Sequence, residues 1–131
     1  MGRRMFIHED SRRRLIEWAE GGFKVCKVVI ASEDCVVGDH HHMKKDEKFL
    51  LLSGRCKSAT IGGSETVDPR PPFFFDVPRG IYHRFELEKG AVLLGVATER
   101  FDKDDEIAGK PEFGSSDKTV TRNEMFLGET A

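Results

Sequence analysis

The most informative stretch of this 131-residue sequence is HHHMKKDEKFLLLSG, residues 40–54. His40 and His42 lie two positions apart, so on a β-strand both imidazoles point to the same face. A polar loop of four residues follows, and Glu47 then opens an apolar run that ends in a turn signal at Gly54. The stretch predicts a β-hairpin that brings two histidines and one carboxylate together, while His41 points away from them.

The middle of the chain consists of short apolar runs separated by turn signals. This pattern is typical of an all-β sandwich or barrel rather than of alternating strands and helices. A chain of 131 residues has the usual length of one domain. We expect a single domain with a β core over about residues 13–100 and a C-terminal tail over residues 101–131. The runs are residues 23–31, 49–52, 73–77, 82–87 and 91–98.

Residues 13–19 fit two kinds of secondary structure. Leu15 and Trp18 have the i, i+3 spacing of a helical stripe, whereas Arg14 and Ile16 belong to an alternation that fits a strand. The local pattern leaves both open.

A further histidine, His83, ends the segment PRGIYH, residues 78–83. Imidazole and carboxylate groups are ligands of borderline divalent cations, and four protein ligands leave one or two positions for water or substrate. We therefore predict a divalent metal ion (zinc, iron, manganese or nickel) held by His40, His42, Glu47 and His83.

Both stretches resemble the two signature motifs of the cupin superfamily. The first has His-x-His, then Glu after four residues and Gly after six more; the second has Pro-x-Gly and then His after two residues. The resemblance covers residues 23–98 and implies a jelly-roll sandwich with the metal site inside it, held by the same four residues. Asp34 and Pro72 replace the glycine that precedes each motif, and Leu87 replaces an asparagine near the end of the second.

The sequence also resembles a subgroup, the RmlC-like nucleotide-sugar cupins, and within it the WxcM-like dTDP-4-keto-6-deoxyhexose 3,4-ketoisomerases. An N-terminal likeness over residues 10–15 favours a strand for residues 13–19. The ketoisomerases are described as using the His-x-His pair for proton transfer without a metal, and as lacking the glutamate and the later histidine that this chain has. The remaining likeness lies in residues 80–82, 90–92, 97–99, 101–102, 105, 107 and 112–113.

This resemblance implies a sugar isomerase or epimerase that acts on a nucleotide-linked or phosphorylated keto-sugar by proton transfer. In a metal-bound site the four ligands cannot act as bases, and Tyr82 is then the candidate proton carrier. In a metal-free site His40 or His42 is the base and Glu47 orients it. The alternatives are a non-catalytic cupin that binds a small molecule and a metal-dependent oxygenase.

Further candidate contacts lie around the predicted pocket. Lys45 and Arg84 are candidate ligands for a phosphate of the sugar substrate, although lysines in a hairpin loop are more often solvated charge. On the strand that begins at Glu47, Leu50 and Leu52 point away from the pocket. Two leucines on an outer face predict a covered surface, and hence a homodimer.

Composition excludes several classes of function. The 21 basic and 23 acidic residues give a net charge of −2, which argues against a nucleic-acid partner. The longest apolar runs are far shorter than the roughly 20 residues of a membrane-spanning helix. The first residues lack the apolar stretch of a secretory signal, so we expect a cytoplasmic protein whose three cysteines are reduced thiols.

Overall fold

The computed structural model describes residues 5–111. The regular secondary structure of the described chain consists of short strands, as the sequence predicted, apart from one 3-10 turn at Lys103–Asp105. No helix in this part of the chain is long and apolar enough to cross a membrane. The strands are β1 (Phe6–Glu9), β2 (Arg14–Glu17), β3 (Val25–Ile30), β4 (Cys35–His41), β5 (Glu47–Ser53), β6 (Cys56–Ile61), β7 (Ser64–Val67), β8 (Phe73–Val77), β9 (His83–Leu87), β10 (Val92–Ala97) and β11 (Ile107–Ala108).

Two antiparallel sheets enclose one hydrophobic core. The four-stranded sheet has the order β3-β10-β5-β8, and the five-stranded sheet has the order β11-β4-β9-β6-β7. Alternate residues of each strand point inward and pack between the sheets. Phe75 and Phe85 stack edge to face there, with their ring centroids 5.1 Å apart. The aromatic run that contains Phe75 therefore serves mainly the core.

The segment left open by its local pattern forms a strand. Arg14–Glu17 is β2, and it pairs with β1 in the register Ile7↔Ile16. Trp18 lies beyond the end of this strand. The two strands form a sheet of their own, separate from the sheets of the sandwich.

Part of the predicted C-terminal tail belongs to the sandwich. Ile107 and Ala108 form β11, which pairs with β4 opposite His41 and His40. The sequence placed the limit of the β core at about residue 100, but the backbone continues into the sheet that carries the histidines. Residues 112–113, part of the predicted family likeness, lie outside the described residues.

The outer face of the four-stranded sheet is apolar. Leu50 is only 1% exposed, so other parts of the same chain already cover it. Leu52 is exposed, and on β3 Val28 and Ile30 are exposed by 54% and 67%. Leu50 and Leu52 lie outside the core cluster, and of the two only Leu52 is available to a partner.

Candidate active site

A cavity of about 160 Å³ lies between the two sheets. Its lining includes His40, His42 and His83, two lysines and two glutamates, beside apolar side chains such as Phe49. Pockets for drug-sized ligands usually measure about 300–1,000 Å³. The cavity is therefore smaller than the usual pocket for a drug-sized ligand.

A bulge in β4 directs the first histidine into the cavity. The register between β4 and β9 shifts between Gly38 and His40, and His40 lies directly opposite His83. Gly38 has φ +92°, and a Cβ at this position would lie 2.8 Å from the His83 carbonyl oxygen and 2.9 Å from its ring. Only glycine fits here without strain, because both the conformation and the space exclude a side chain.

The three cavity histidines form a compact cluster. The ring centroids of His40 lie 4.6 Å from those of both His42 and His83. One nitrogen from each ring falls within 4.8 Å of the others. His40 and His42 lie on the same side, as predicted, and β9 supplies the third ring. The predicted β-hairpin is not formed, because β4 pairs with β9 and β11 whereas β5 pairs with β8 and β10. Residues 43–46 instead connect the two sheets, so Glu47 reaches the cluster from the four-stranded sheet.

The cluster is uncharged near neutral pH. Burial is the main cause that lowers the pKa of His40 and His42, and it lowers the pKa of His83 well below its ordinary value. The neighbouring His42 and the positive charges of Lys27 and Lys45 lower the pKa of His83 further. Neutral imidazoles can accept a proton or a metal ion through the free nitrogen.

Asp105 fixes the orientation of His42. Nδ1 of His42 lies 2.9 Å from the Asp105 backbone carbonyl oxygen, which can only accept, so Nδ1 carries the hydrogen. The free Nε2 then faces Glu47, with 3.6 Å between Nε2 and Oε1. The Asp105 carboxylate accepts hydrogen bonds from the backbone N–H groups of Met43 and Lys44, at 2.9 and 3.1 Å. One residue of the 3-10 turn thus holds both the loop of residues 43–46 and a cavity histidine.

Glu47 is not among the residues that line the cavity, but it approaches four residues that are. Its Oε1 lies 3.6 Å from His42 Nε2 and 3.7 Å from His83 Nε2, without a hydrogen bond in the structure. Its Oε2 lies 3.6 Å from Lys27 Nζ and 3.8 Å from Lys45 Nζ. The carboxylate is only 2% exposed, so these two lysines provide the countercharge that a buried anion needs.

Sequence reasoning missed two acidic residues of the site, Asp105 as an orienting group and Glu106 as part of the lining. Glu106 is buried, and its Oε2 lies 3.5 Å from His40 Nδ1. Both were assigned to a tail. The run of acidic residues before the apolar Ile107 was the available signal, but nothing in it indicated that this segment returns to β4.

The other predicted site residues are divided between the cavity and the outside. Lys45 lines the cavity and is only 5% exposed, so it is not a solvated loop lysine. Tyr82 is not among the residues that line the cavity. Its hydroxyl donates a hydrogen bond to Asp39. Arg84 also lies outside the cavity and approaches Glu86, with 3.6 Å between Nη1 and Oε1. A contact between Arg84 and a phosphate at the mouth of the cavity stays a prediction.

His41 points away from the cluster, as predicted, but it is not exposed. Its Nδ1 donates a hydrogen bond to the Gly109 carbonyl oxygen at 2.6 Å, and the side chain is buried. The sequence did not reveal this cover, because it comes from the segment that follows β11.

Three of the four predicted ligands, His40, His42 and His83, lie close enough together to hold a divalent cation. Glu47 is not part of this group, although it approaches two of its rings. Two ligands that each lie about 2.1 Å from one ion are about 3–3.4 Å from each other. The separations of 3.6 and 3.7 Å between Glu47 Oε1 and two imidazole nitrogens exceed this by a few tenths of an ångström. The unpartnered Oε1 and the free Nε2 of His42 are groups that a metal would satisfy.

No protein-family model matches the chain, and no curated protein sequence matches it significantly. Solved structures do match. The 3,4-ketoisomerase of Helicobacter canadensis has a TM-score of 0.68 at 17% identity, over 79% of this chain and 86% of that chain. A sugar 3,4-ketoisomerase of Thermoanaerobacterium thermosaccharolyticum, crystallised with TDP, has a TM-score of 0.66 at 20% identity, over 79% and 83% of the two chains.

The epimerase RmlC of Legionella pneumophila, a dTDP-6-deoxy-D-glucose-3,5-epimerase in complex with dTDP-4-keto-L-rhamnose, is similar as well. Its TM-score is 0.65 at 15% identity, over 79% of this chain and 68% of that chain. At these identities the likeness establishes the architecture. The chain has the RmlC-like cupin fold, which confirms the sequence resemblance at the level of the fold.

Proposed function

We propose that this protein is a sugar isomerase or epimerase that moves a proton at the carbon beside the carbonyl of a nucleotide-linked keto-sugar. The observation that carries the proposal is the buried cavity with three neutral imidazoles. Two of the similar structures named above support this choice of substrate, since one is a sugar 3,4-ketoisomerase crystallised with TDP and the other is an epimerase in complex with dTDP-4-keto-L-rhamnose.

Proton transfer beside a carbonyl needs a base whose pKa suits neutral pH and a group that stabilises negative charge on the oxygen. In the metal-free form of the site, His42 is the better-placed base, because its hydrogen on Nδ1 is held by Asp105 and its Nε2 is free. Lys45 lies at the same cavity wall and can donate a hydrogen bond to the developing enediolate oxygen. Glu47 supplies the countercharge for this lysine.

In the metal-bound form, His40, His42, His83 and Glu47 would hold the divalent cation. The ion, when bound, polarises the carbonyl and stabilises negative charge on its oxygen. The proton carrier is then a cavity group other than these four. Burial lowers the pKa of Lys45, which brings its amine closer to the range of a general base. Lys45 replaces Tyr82 in this role, because Tyr82 lies outside the cavity.

The proposed assembly is a homodimer formed through the outer face of the four-stranded sheet. Val28 and Ile30 are more than half exposed, and Leu94 pairs with Val28 on the neighbouring strand. An apolar face shared by adjacent strands can bind the same face of a second copy about a two-fold axis. The cytoplasm remains the proposed location.

The test is conversion of a dTDP-4-keto-6-deoxyhexose, followed by NMR of the sugar. The protein is purified without a histidine tag, treated with a chelator, and assayed alone and with zinc, iron, manganese or nickel, with metal content measured by elemental analysis. We expect a new keto-sugar and a loss of at least about 100-fold in His42→Gln. Tyr82→Phe should keep most of the activity, since its hydroxyl contacts Asp39 outside the cavity.

Two results would contradict the proposal. Binding of the sugar nucleotide without conversion in any metal state would instead indicate a binding protein. Consumption of oxygen that depends on iron would indicate an oxygenase.

A further inference from the structure

Two lysines approach Oε2 of Glu47, whereas two histidines approach Oε1. Lys27 lies on β3 and Lys45 in the loop of residues 43–46. Their Nζ atoms lie 3.6 and 3.8 Å from Oε2. The Lys45 side chain is 5% exposed and that of Lys27 is 31% exposed. Both ammonium groups also line the cavity that holds the histidine cluster.

The same carboxylate is the only acid in the predicted set of four metal ligands. Because Oε2 is already shared by two ammonium groups, Glu47 offers a cation less negative charge than an unpaired glutamate would. Both lysines line the same cavity as the histidine cluster, so their positive charges also oppose a divalent cation there.

We infer that Lys27 and Lys45 compete with a divalent cation for Glu47 and so weaken metal binding at the histidine cluster. This inference rests on the metal-binding part of the proposed function. The site then has two ways to balance the buried carboxylate, with the two ammonium groups or with the ion. The natural chain holds the ion more weakly than its ligand types alone would suggest.

The experiment measures zinc affinity by competition with a chromophoric chelator, on untagged protein without substrate. The variants are Lys27→Met, Lys45→Met and the double variant, in which methionine keeps the apolar part of the side chain. Lys48→Met is the matched control, because Lys48 lies on the same strand as Glu47 but binds Asp76, with 2.9 Å between Nζ and Oδ1. Lys45→Gln provides a second buried variant, and thermal unfolding confirms that each protein is folded.

We expect the zinc dissociation constant to fall by about tenfold or more in the double variant and to stay unchanged in Lys48→Met. In a Glu47→Gln background the effect of the two lysines should shrink, because the group for which they compete is gone. An affinity that is unchanged or weaker in the double variant would overturn the inference, as would an equal lysine effect with and without Glu47. Absence of zinc binding in every variant would overturn it too. Since no sugar is present, these results are independent of whether the protein is an isomerase.

Discussion

His42 donates its Nδ1 hydrogen to the backbone carbonyl of Asp105 at 2.9 Å, so the residue that ends the 3-10 turn fixes the tautomer of a cavity histidine. The side chain of Asp105 meanwhile accepts hydrogen bonds from two backbone N–H groups of the loop that follows His42. The 3-10 turn therefore holds both the ring of His42 and the loop of residues 43–46 that follows it.

Asp105→Ala should lower both stability and activity. The change leaves the N–H groups of Met43 and Lys44 without their acceptor, which costs about 1–3 kcal/mol of unfolding free energy. Urea unfolding measures this loss, and the conversion assay measures the effect on the site. Asp105→Asn keeps one amide oxygen as an acceptor and should recover much of both. Equal behaviour of the alanine and asparagine variants would contradict the role of the carboxylate.

Gly38→Ala should destabilise the protein and displace His83 from its place in the histidine cluster. A Cβ at this position meets the His83 carbonyl oxygen at 2.8 Å and also has to adopt φ +92°. We expect a loss of about 2–4 kcal/mol in unfolding free energy, from backbone strain and overpacking together. Gly63→Ala is the matched control, because nothing lies within 4 Å of a Cβ there and its φ is not positive. A stable Gly38→Ala protein with normal zinc affinity would show that this close approach is unimportant.

Stability should fall as the pH decreases below about 6.5, the ordinary pKa of histidine. The pKa values of His40, His42 and His83 are lowered in the folded chain, so below 6.5 the unfolded chain takes up protons that the folded chain does not. The contribution of these neutral histidines to the free energy of unfolding is fully present above pH 6.5. Below that pH, each histidine lowers the free energy of unfolding by up to about 1.4 kcal/mol per pH unit. Urea unfolding between pH 8 and 5 measures the slope.

The matched control for this pH dependence is His8→Ala, because the His8 side chain is 52% exposed and lies outside the cavity. It should show the same slope as the natural protein, whereas His83→Phe should show a smaller one. A natural protein whose stability does not change between pH 7 and 5 would contradict the neutral, buried cluster.

Ile30→Asp should convert a dimer into a monomer. Ile30 is 67% exposed on the outer face of the four-stranded sheet, so a carboxylate there disrupts association without entering the core. Light scattering coupled to size exclusion gives the mass of each form. Leu50→Asp is a poorer test, because Leu50 is already buried within one chain and its change would unfold the protein. A natural protein that is monomeric at all concentrations would exclude the proposed interface.

The sequence was sufficient for the all-β fold and for the common side of His40 and His42, because both follow from local patterns. The alternation of residues on a strand is a local property, so His40 and His42 had to share a face. The prediction that Glu47 lies near them was correct although the predicted hairpin was not, because residues 43–46 cross from one sheet to the other. His83 was proposed from its residue type and from the resemblance to cupins, but its position opposite His40 depends on long-range pairing of β4 with β9.

The remaining features of the site depend on contacts that no local pattern encodes. Glu106 reaches His40 because the segment after β10 returns as an edge strand beside β4. Lys45 is buried because its loop folds over the cavity, although its sequence surroundings are those of an exposed turn. Tyr82 is adjacent to His83 in the sequence, yet on an extended chain neighbouring side chains point to opposite faces, which placed it outside.

The most direct test of the proposed reaction follows the transferred proton. A dTDP-4-keto-6-deoxyhexose is incubated with the protein in D₂O, and deuterium at the carbon beside the carbonyl is measured by NMR and mass spectrometry. We predict that deuterium enters this position in the presence of the natural protein and that His42→Gln reduces the rate by at least about 100-fold. If neither the recovered substrate nor any product contains deuterium above the level without protein, this cavity does not catalyse proton transfer on such a sugar.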